Sequence, residues 1–525
     1  MIGQPPSAEP ATDAPPPAPE PPSAAAQLQR MIALAVTLAV AVMGVMVYRD
    51  FDASALGAQN VISIPWFQLR DGPAVHYKLG VDGISLLMVA LTSLLMPIVI
   101  LSTWGHIEKR VKEFMVWMLV METGMLGVFL SLDLVLFYFF WEVSLIPLYF
   151  MVGIWGGERR IYATIKFFLY TLAGSLVMLV AVIAMLYQFN TSDIPLLTSA
   201  AAALPASTQS WLFAGFALAF AIKVPVIPFH TWLADAHTEA PTAGSVVLAG
   251  VLLKMGTYGL LRFCIAMFPA AAVEWAPLFM VLGAVGIVYG ALLSMAQNDL
   301  KRLVACSSVS HLGYVILGLF ALTSAGLSGG VLQMVSHGMS TGMLFLLVGM
   351  IYERRHTRAL DEFGGIAQSM PMFAVFLVIA VLSSAALPGL NGFIGEYLIL
   401  KGAFDANRWL AVVGVLGVIF GSIYLLMATR KVLFGPITKR ANRELSDLNL
   451  REIGLMLPIV VFIFWIGVAP TPFLAQAQPA IDSIVRRCDE ARARSFASLP
   501  LEAGEIAVPA EAGEIAMPAT TSTQR

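Results

Sequence analysis

From residue 31 to about residue 475, apolar runs of about 18–26 residues alternate with short polar joints. Runs of that length, folded as helices, cross a hydrocarbon core of ~30 Å. The pattern predicts an all-α polytopic membrane protein with about 13 transmembrane helices, at roughly 31–48, 83–104, 114–131, 134–155, 162–188, 211–230, 243–268, 275–297, 302–322, 328–352, 371–404, 409–433 and 452–474. Two of these runs are interrupted. The eleventh is too long for one straight span and contains Pro388, Gly389, Gly392 and Gly395; the sixth contains Pro225 and Pro228 and continues as a polar stretch through Glu239 to Pro241. Both read as discontinuous helices, which survive in a membrane only where protein or a wet cavity surrounds the broken backbone.

The polar joints orient the chain. Loops leaving even-numbered spans hold Lys109, Arg110, Lys112, Arg159, Arg160, Lys301, Arg302, Arg354, Arg355, Arg358, Arg430, Lys431, Lys439, Arg440, Arg443 and Arg451, whereas those leaving odd-numbered spans hold Arg49, Arg70, Lys78 and Arg408. An excess of Lys and Arg marks the cytoplasmic side, so the even exits and the N-terminus are predicted to be cytoplasmic. Residues 1–30, with nine prolines and the acids Glu9, Asp13 and Glu20, read as a disordered Pro-rich cytoplasmic tail, and the acidic lead-in argues against a signal peptide. Residues 31–475 form the transmembrane domain. Residues 476–525 read as a low-complexity, extracytoplasmic tail ending in a tandem repeat, EAGEIAVPA then EAGEIAMPA; its Arg486, Arg487, Arg492 and Arg494 run against the charge rule and suggest a helix lying on the surface.

Composition narrows the class further. Of 525 residues 58% are apolar and 12% charged, about half the ~25% charge of a soluble domain. A net charge of −2 gives no general reason to bind nucleic acid. Cys264, Cys306 and Cys488 lie far apart with no CxxC, so neither a disulfide framework nor a metal cluster is indicated. No GxGxxG follows a strand and no GxxxxGK[ST] loop occurs, which leaves no evident place for a nucleotide or flavin. Energy for any ion movement would have to come from a gradient or a partner.

Against that scarcity, ionisable residues inside the spans stand out, because each costs at least ~2.5–3.5 kcal/mol at mid-membrane on insertion scales. Glu142 lies near the middle of the fourth span and Lys223 two residues before Pro225. Facing each other in low dielectric, a Glu and a Lys control each other's protonation, which makes them a switchable proton site or else a static ion pair. Lys254 is central in the seventh span, with His311 and His337 in the ninth and tenth, an arrangement suited to a proton relay. Glu396 follows the Pro/Gly break of the eleventh span and reads as an entry or exit site. Lys166, near a helix end, is explained by snorkelling about as well as by function; the same two readings hold for Lys401, near a helix end, and for Glu122, where the alternative to function is simple pairing; Arg262 reads as a positioning residue. His230 and His237 in HTWLADAH lack the spacing of a metal-binding helix, and Asp235 and Glu239 beside them suggest capping and hydrogen bonding.

The segments YKLGVDGISLLMVALTSLL (77–95), GVFLSLDLVLFYFFWEVSLIPLYFMVGIWGG (127–157), KFFLYTLAGSLVML (166–179), KVPVIPFHTWLADAHTEAPTAGSVVLAGVLLKMGTYG (223–259) and LPGLNGFIGEYLIL (387–400) resemble the antiporter-like, proton-pumping subunit family, and within it the chain M branch of respiratory NADH–quinone oxidoreductase (complex I). The resemblance covers about residues 31–475. It implies two inverted five-helix repeats, each with a discontinuous helix, around a hydrated polar axis. By motif position it also implies that Glu142 is the key glutamate, Lys223 the broken-helix lysine, Lys254 the central lysine, His311 and His337 relay histidines, and Glu396 the distal acid. Glu396 selects this branch, since chains L and N and the related antiporter subunits typically carry lysine there. The chain departs from the family in two ways: the usual first of fourteen helices is replaced by the Pro-rich tail, and Ala234 stands where proline is usual.

The expected function is therefore a proton-translocating, non-redox subunit of an NADH:quinone oxidoreductase, in a bacterial cytoplasmic membrane. No cofactor or metal is expected in this chain, while NADH, FMN, iron–sulfur clusters and quinone are expected in partner subunits. The expected partners are other membrane-arm subunits, including chains L and N, together with membrane lipid. A sodium/proton antiporter subunit without redox partners, and a non-pumping scaffold of the membrane arm, are the alternatives.

Overall fold

The computed structural model describes residues 23–70 and 72–497. Residues 1–22 of the Pro-rich tail and the tandem repeat at 502–519 lie outside the described residues. The first helix, α1 (Ala24–Asp50), starts seven residues before the apolar run because the Ser23 side chain caps it, accepting from the Ala26 amide. Residues 24–30 therefore belong to the helix and not to the tail. A stripe of α1 (Arg30, Ala33, Thr37 and Gly44) is buried, while Val36, Val42, Val45 and Met46 face outward.

There follow α2 (Gly83–Ser102), α3 (Val111–Leu130), α4 (Leu134–Trp155), α5 (Arg160–Phe189), the short α6 (Ile194–Ala201), α7 (Ala206–Lys223), α8 (Thr231–Glu239) and α9 (Thr242–Ile265). The second half is α10 (Pro269–Met295), α11 (Leu300–Phe320), α12 (Ser324–Arg355), α13 (Pro371–Ser384), α14 (Asn391–Ala406), α15 (Arg408–Leu433), α16 (Leu450–Val468) and α17 (Thr471–Ala497). Among the described residues, eleven helices are long and apolar enough to cross a membrane. The sixth and eleventh sequence runs are the broken pairs α7–α8 and α13–α14. The break falls on the fourth member of each of two successive sets of five: α3, α4, α5, α7–α8, α9, and then α10, α11, α12, α13–α14, α15.

One element lies outside the all-α expectation. Strands β1 (Gln59–Gln68) and β2 (Ala74–Val81) pair antiparallel, with Ile62 opposite Leu79 and Ile64 opposite Tyr77. The Asp-Gly pair at 71–72, between segments rich in β-branched and aromatic residues, was the available signal. The C-terminal region also departs from a low-complexity reading as far as residue 497. There α17 lays Phe473, Ala477, Ile481, Ile484 and Cys488 on the bundle at helical spacing. Ser324 donates to Asp482 (3.1 Å) and Gln478 to Ser324 (2.9 Å), tying α17 to the start of α12. A Cβ at Gly83 would lie 1.7 Å from the Gln476 carbonyl oxygen, so only glycine lets α2 start beneath α17.

Three helices, α9, α11 and α12, are buried along their apolar stretches on all sides, whereas α1, α15 and α16 expose most of theirs. The helices carrying Lys254, His311 and His337 thus form the centre. On the end rich in Lys and Arg, Arg354 grips buried Glu452 through two nitrogens (3.0 and 2.7 Å) and joins α12 to α16. In a nearby loop, hydrogen bonds from Asn298 and Lys431 hold the Asp361 carboxyl below its usual range.

Close backbone approach holds the second set of helices. A Cβ at Gly290 would stand 2.5 Å from the Ser310 amide nitrogen, and one at Gly313 would be 2.8 Å from the Gly283 oxygen, so α10 and α11 pack backbone to backbone. Gly290→Val should force them apart, at an overpacking cost of about 1–3 kcal/mol. The expected readout is a lower thermal midpoint of the purified protein; an unchanged midpoint would show that the close approach is dispensable.

Candidate functional site

The centre of the bundle holds a row of polar side chains. α9 is not a uniform α-helix: π segments at Leu248–Leu252 and Leu260–Ile265 flank the α-helical turns Leu253–Gly259. Such segments disturb the regular backbone ladder and recur at functional sites. Here the Ala249 carbonyl accepts from Lys254 Nζ. The same Nζ lies 2.7 Å from His337 Nδ1 on α12. An ammonium has no lone pair, so when Lys254 is charged His337 Nδ1 accepts and the ring proton sits on Nε2. That Nε2 has no partner among the described residues. The His337 and His311 rings lie 5.6 Å apart, centroid to centroid. His311 Nδ1 lies 3.1 Å from Glu396 Oε1, to which Gln333 Nε2 also donates (3.2 Å). Lys254, His337, His311 and Glu396 thus follow one another across four helices, each buried.

A small polar cavity opens beside this row, lined by His311, His337, Gln333, Ser340, Thr341 and Ser384 among others, with about 10 Å³ of room for a water's centre. That is close to what one water molecule needs. Next to it the second break is tied off. Ser340 and Ser383 hydroxyls are 2.6 Å apart, Ser383 donates to Asn391 Oδ1 (2.5 Å), and Asn391 Nδ2 donates to the Ser336 carbonyl (3.1 Å). Asn391 opens α14 and Ser383 lies in the last turn of α13, so this knot sets the position of Glu396, five residues further on.

Glu142 and Lys223 are not joined in the same way. Neither takes part in an ion pair within 4.0 Å among the described residues, and Glu142 Oε1 is buried without a partner. Lys223 instead places its ammonium 5.4 Å from the centre of the Trp141 ring, the neighbour of Glu142. The expected contact pair is therefore two facing groups with a gap. Lys223 ends α7, and its approach to α9 depends on Gly256, where a Cβ would be 2.7 Å from Val224.

The first break holds charges that the sequence placed elsewhere. Lys166 is not a snorkelling residue: its Nζ pairs with Asp235 at 2.7 Å, and Arg302 reaches the other Asp235 oxygen at 3.3 Å. Lys301, counted above as a loop charge, is buried and donates to the Ala240 carbonyl between α8 and α9 at 2.5 Å. The signal available was its place directly before an apolar run, facing a Pro-broken segment. Glu239 accepts from the Arg159 amide (3.0 Å), a capping role. His237, fully buried, stacks on Phe345 with both ring nitrogens unpartnered among the described residues, and His230 packs on Tyr289. Ala234 sits inside α8, its carbonyl accepting from Thr238 (2.6 Å). Arg262 pairs with Asp82, the N-cap of α2, in keeping with a positioning role. Lys401 pairs with Asp405 on the surface (3.1 Å). Glu122, for which simple pairing was one reading, is buried with Oε1 unpartnered among the described residues.

Two larger cavities open on the two ends of the bundle. One of about 660 Å³ is lined by His106, Glu239, Lys301, Glu353 and Arg358, on the end rich in Lys and Arg. One of about 390 Å³, lined by Asp82, Arg262 and Arg487, lies under α17. The row of buried ionisable groups lies between them.

Comparison with known proteins agrees with this architecture. Residues 131–421 match the family described as NADH:quinone oxidoreductase/Mrp antiporter, transmembrane. NADH-quinone oxidoreductase subunit M of Rhodobacter capsulatus is 45% identical over 468 residues, covering 87% of this chain and 90% of that protein. A chain of respiratory complex I from Thermus thermophilus, solved with bound NADH, superposes with a TM-score of 0.79 at 33% identity, over 88% of this chain and 99% of that one. A chain of the Mrp complex from Dietzia superposes at 0.77 with 21% identity, over 89% of this chain and 94% of that one, a likeness of fold.

The knot at the second break gives a direct test. Asn391→Leu removes the bond from the Ser383 hydroxyl and the bond to the Ser336 carbonyl, at about 0.5–1.5 kcal/mol each, and leaves both groups only their contacts with Ser340. Hydrogen exchange of the amides around 385–392 should quicken in this variant, while exchange in α9 stays unchanged. Equal protection at 385–392 would show that the knot does not hold the break.

Proposed function

This chain belongs to the NADH:quinone oxidoreductase/Mrp antiporter family, and from that membership we propose that it is a proton-translocating subunit in the membrane arm of an NADH:quinone oxidoreductase. It would contain no redox centre of its own; NADH, flavin, iron–sulfur clusters and quinone would be handled by partner subunits. Its neighbours would be other membrane-arm subunits, of the kind called chains L and N, in a bacterial cytoplasmic membrane with the basic loops inward. The observation that carries this reading is the buried row Lys254–His337–His311–Glu396.

The row supports a stepwise transfer. A proton leaves Lys254 Nζ for His337 Nδ1 across their 2.7 Å contact. The Nε2 proton of the same ring then passes toward His311, with room for one water beside the two rings. His311 delivers from Nδ1 to the Glu396 carboxylate. Each histidine accepts on one nitrogen and gives from the other, so a charge crosses without either ring dissociating from its helix. Moving one charge against 100 mV costs ~2.3 kcal/mol. Quinone reduction in partners would supply that energy by perturbing the Glu142–Lys223 end, where the missing contact leaves two arrangements open. The sodium/proton antiporter alternative shares the fold; NADH oxidation by the purified complex containing this chain separates the two, being present only in the first.

Glu142→Gln and Lys223→Ala should assemble into the complex yet lower proton pumping and coupled quinone reduction by about tenfold or more, equivalent to at least ~1.4 kcal/mol. The check is fluorescence quenching of a pH dye in inverted membrane vesicles, alongside NADH oxidation with an artificial acceptor. Full pumping in assembled variants would sink the proposal.

A further inference from the structure

The C-terminal end of α8 is held by four donors from four different elements. The His237 carbonyl accepts from Ser245 Oγ (3.0 Å), that of Thr238 from Arg358 (2.7 Å), that of Glu239 from the Gly157 amide (2.9 Å) and that of Ala240 from Lys301 Nζ (2.5 Å). These are the last carbonyls of a helix, the negative end of its dipole, where a cation is favoured. A hydroxyl and an amide are neutral, and a guanidinium keeps its proton. Of the four donors, Lys301 is the one that can change its charge by exchanging a proton.

We propose that Lys301 is a positioning residue for the first break, gripping the end of α8 firmly when its amine is protonated and loosely when it is neutral, an inference that rests on the proton-pumping reading. Lys301 is buried, yet it lines the cavity of about 660 Å³ that opens on the end rich in Lys and Arg. Water in that cavity can deliver a proton to the Nζ lone pair and take it back. No carboxylate lies within 4.0 Å of Nζ among the described residues. Asp299 is engaged by Arg358 (3.0 Å) and by the Arg302 amide (2.9 Å), and Glu239 by the Arg159 amide (3.0 Å). An ion pair locks an ammonium in its charged form; an amine bound to a carbonyl has no such lock. The ionisable groups that face Lys301 are His237 and Glu239 from α8, Asp299 and Arg302 beside it, and Arg358 from the loop after α12. Across the cavity stand the His106–Glu353 pair (2.8 Å), Glu108 and His356.

The grip bears on both helices that matter to the relay. At the start of α8 the Trp232 indole donates to the Ile222 carbonyl (2.9 Å), and Ile222 precedes Lys223, the last residue of α7. With nine residues, α8 is a rod of about 14 Å at 1.5 Å per residue. Lys301 holds one end of that rod and the neighbour of Lys223 holds the other. Beyond Ala240, Pro241 leads directly to Thr242, which opens α9, the helix of Lys254. A charged donor makes a bond roughly twice as strong as a neutral one. Protonation from the cytoplasmic side therefore draws the α8–α9 joint onto α11, and loss of that proton frees α8 and the end of α7 to shift. The proton passes from cavity water to Nζ and back, and no covalent bond other than N–H changes.

The test uses the intact complex in inverted vesicles, whose outer face is the cytoplasmic one. Lys301→Met should lower proton pumping about tenfold at every outer pH, with assembly and NADH oxidation by an artificial acceptor unchanged. The charge on Lys301 is lost as the pH rises, whereas arginine keeps its own. Lys301→Arg should therefore pump, and should carry the high-pH limb of the pumping profile about one pH unit or more beyond wild type. A purely structural contact predicts that the Lys301→Arg and wild-type profiles coincide; that coincidence, or normal pumping in Lys301→Met, overturns the assignment. If Lys301→Arg does not assemble, hydrogen exchange decides. In wild type the amides of residues 232–240 should lose protection relative to those of α11 as the outer pH is raised, and in Lys301→Met they should not; a constant ratio in wild type overturns the assignment. A silent Lys301→Met beside a defective Glu142→Gln removes this inference and leaves the proposed function standing; normal pumping in Glu142→Gln removes the function itself.

Discussion

A lysine ammonium held between a backbone carbonyl and an imidazole, with no carboxylate against it among the described residues, is the contact around which the rest of this fold is arranged. Lys254 is fully buried, where an isolated charge is most costly. Its two partners come from opposite causes. The Ala249 carbonyl accepts from it at a π segment of its own helix, and His337 is within reach because α9 and α12 nearly touch: a Cβ at Gly338 would lie 2.8 Å from the Gly250 oxygen. Larger residues at those two positions would separate the helices and leave Lys254 with a single partner. The small residues of α9 and α12 are thus electrostatic devices as much as packing ones.

The two helix breaks obey the same constraint. Broken backbone inside a membrane protein has to find replacement hydrogen bonds. At the first break the Trp232 indole donates to the Ile222 carbonyl (2.9 Å) and Lys301 to that of Ala240 (2.5 Å). At the second, Asn391 and Ser336 exchange bonds with each other's backbone. One break is therefore closed by a cation and an indole and the other by a neutral amide and hydroxyls. A charge arriving near the first meets Lys301, Lys166 and Arg302, whereas one arriving near the second meets groups that can reorient without changing charge.

Much of this could be read from the sequence, for physical reasons. Hydrocarbon thickness sets the length of an apolar run, so the helices and the two Pro-bearing breaks were visible, and the rarity of buried charge singled out Lys254, His311, His337 and Glu396. What escaped was pairing across long sequence separations. Nothing local to Lys166 or Lys301 tells that Asp235 and the Ala240 carbonyl will fold against them; both sit near span ends, where snorkelling is the cheaper assumption. The β1–β2 hairpin, with strands of 10 and 8 residues, escaped because β1 is exposed along nearly its whole length and the helical runs on either side dominated the pattern. The N-terminal turn of α1 was missed for a single side chain, the Ser23 cap, in a stretch whose proline content pointed the other way.

The row of buried ionisable groups is unequal along its length, and the inequality has a consequence. From Lys254 to Glu396 the groups touch or nearly touch, while Glu142 and Lys223 stand apart with a carboxylate oxygen unpartnered and an ammonium resting on an indole face. A path in continuous contact from one side of a membrane to the other would let protons run down their gradient and dissipate it. A path with one open joint conducts only when something closes that joint. The cation–π contact of Lys223 is weak enough, about 0.5–2 kcal/mol, to be exchanged for a carboxylate, and an end-of-helix lysine beside Pro225 has the freedom to make that exchange. The gap at the first break is therefore the part of the row best suited to be governed from outside the chain, and the contiguous remainder is suited to follow it.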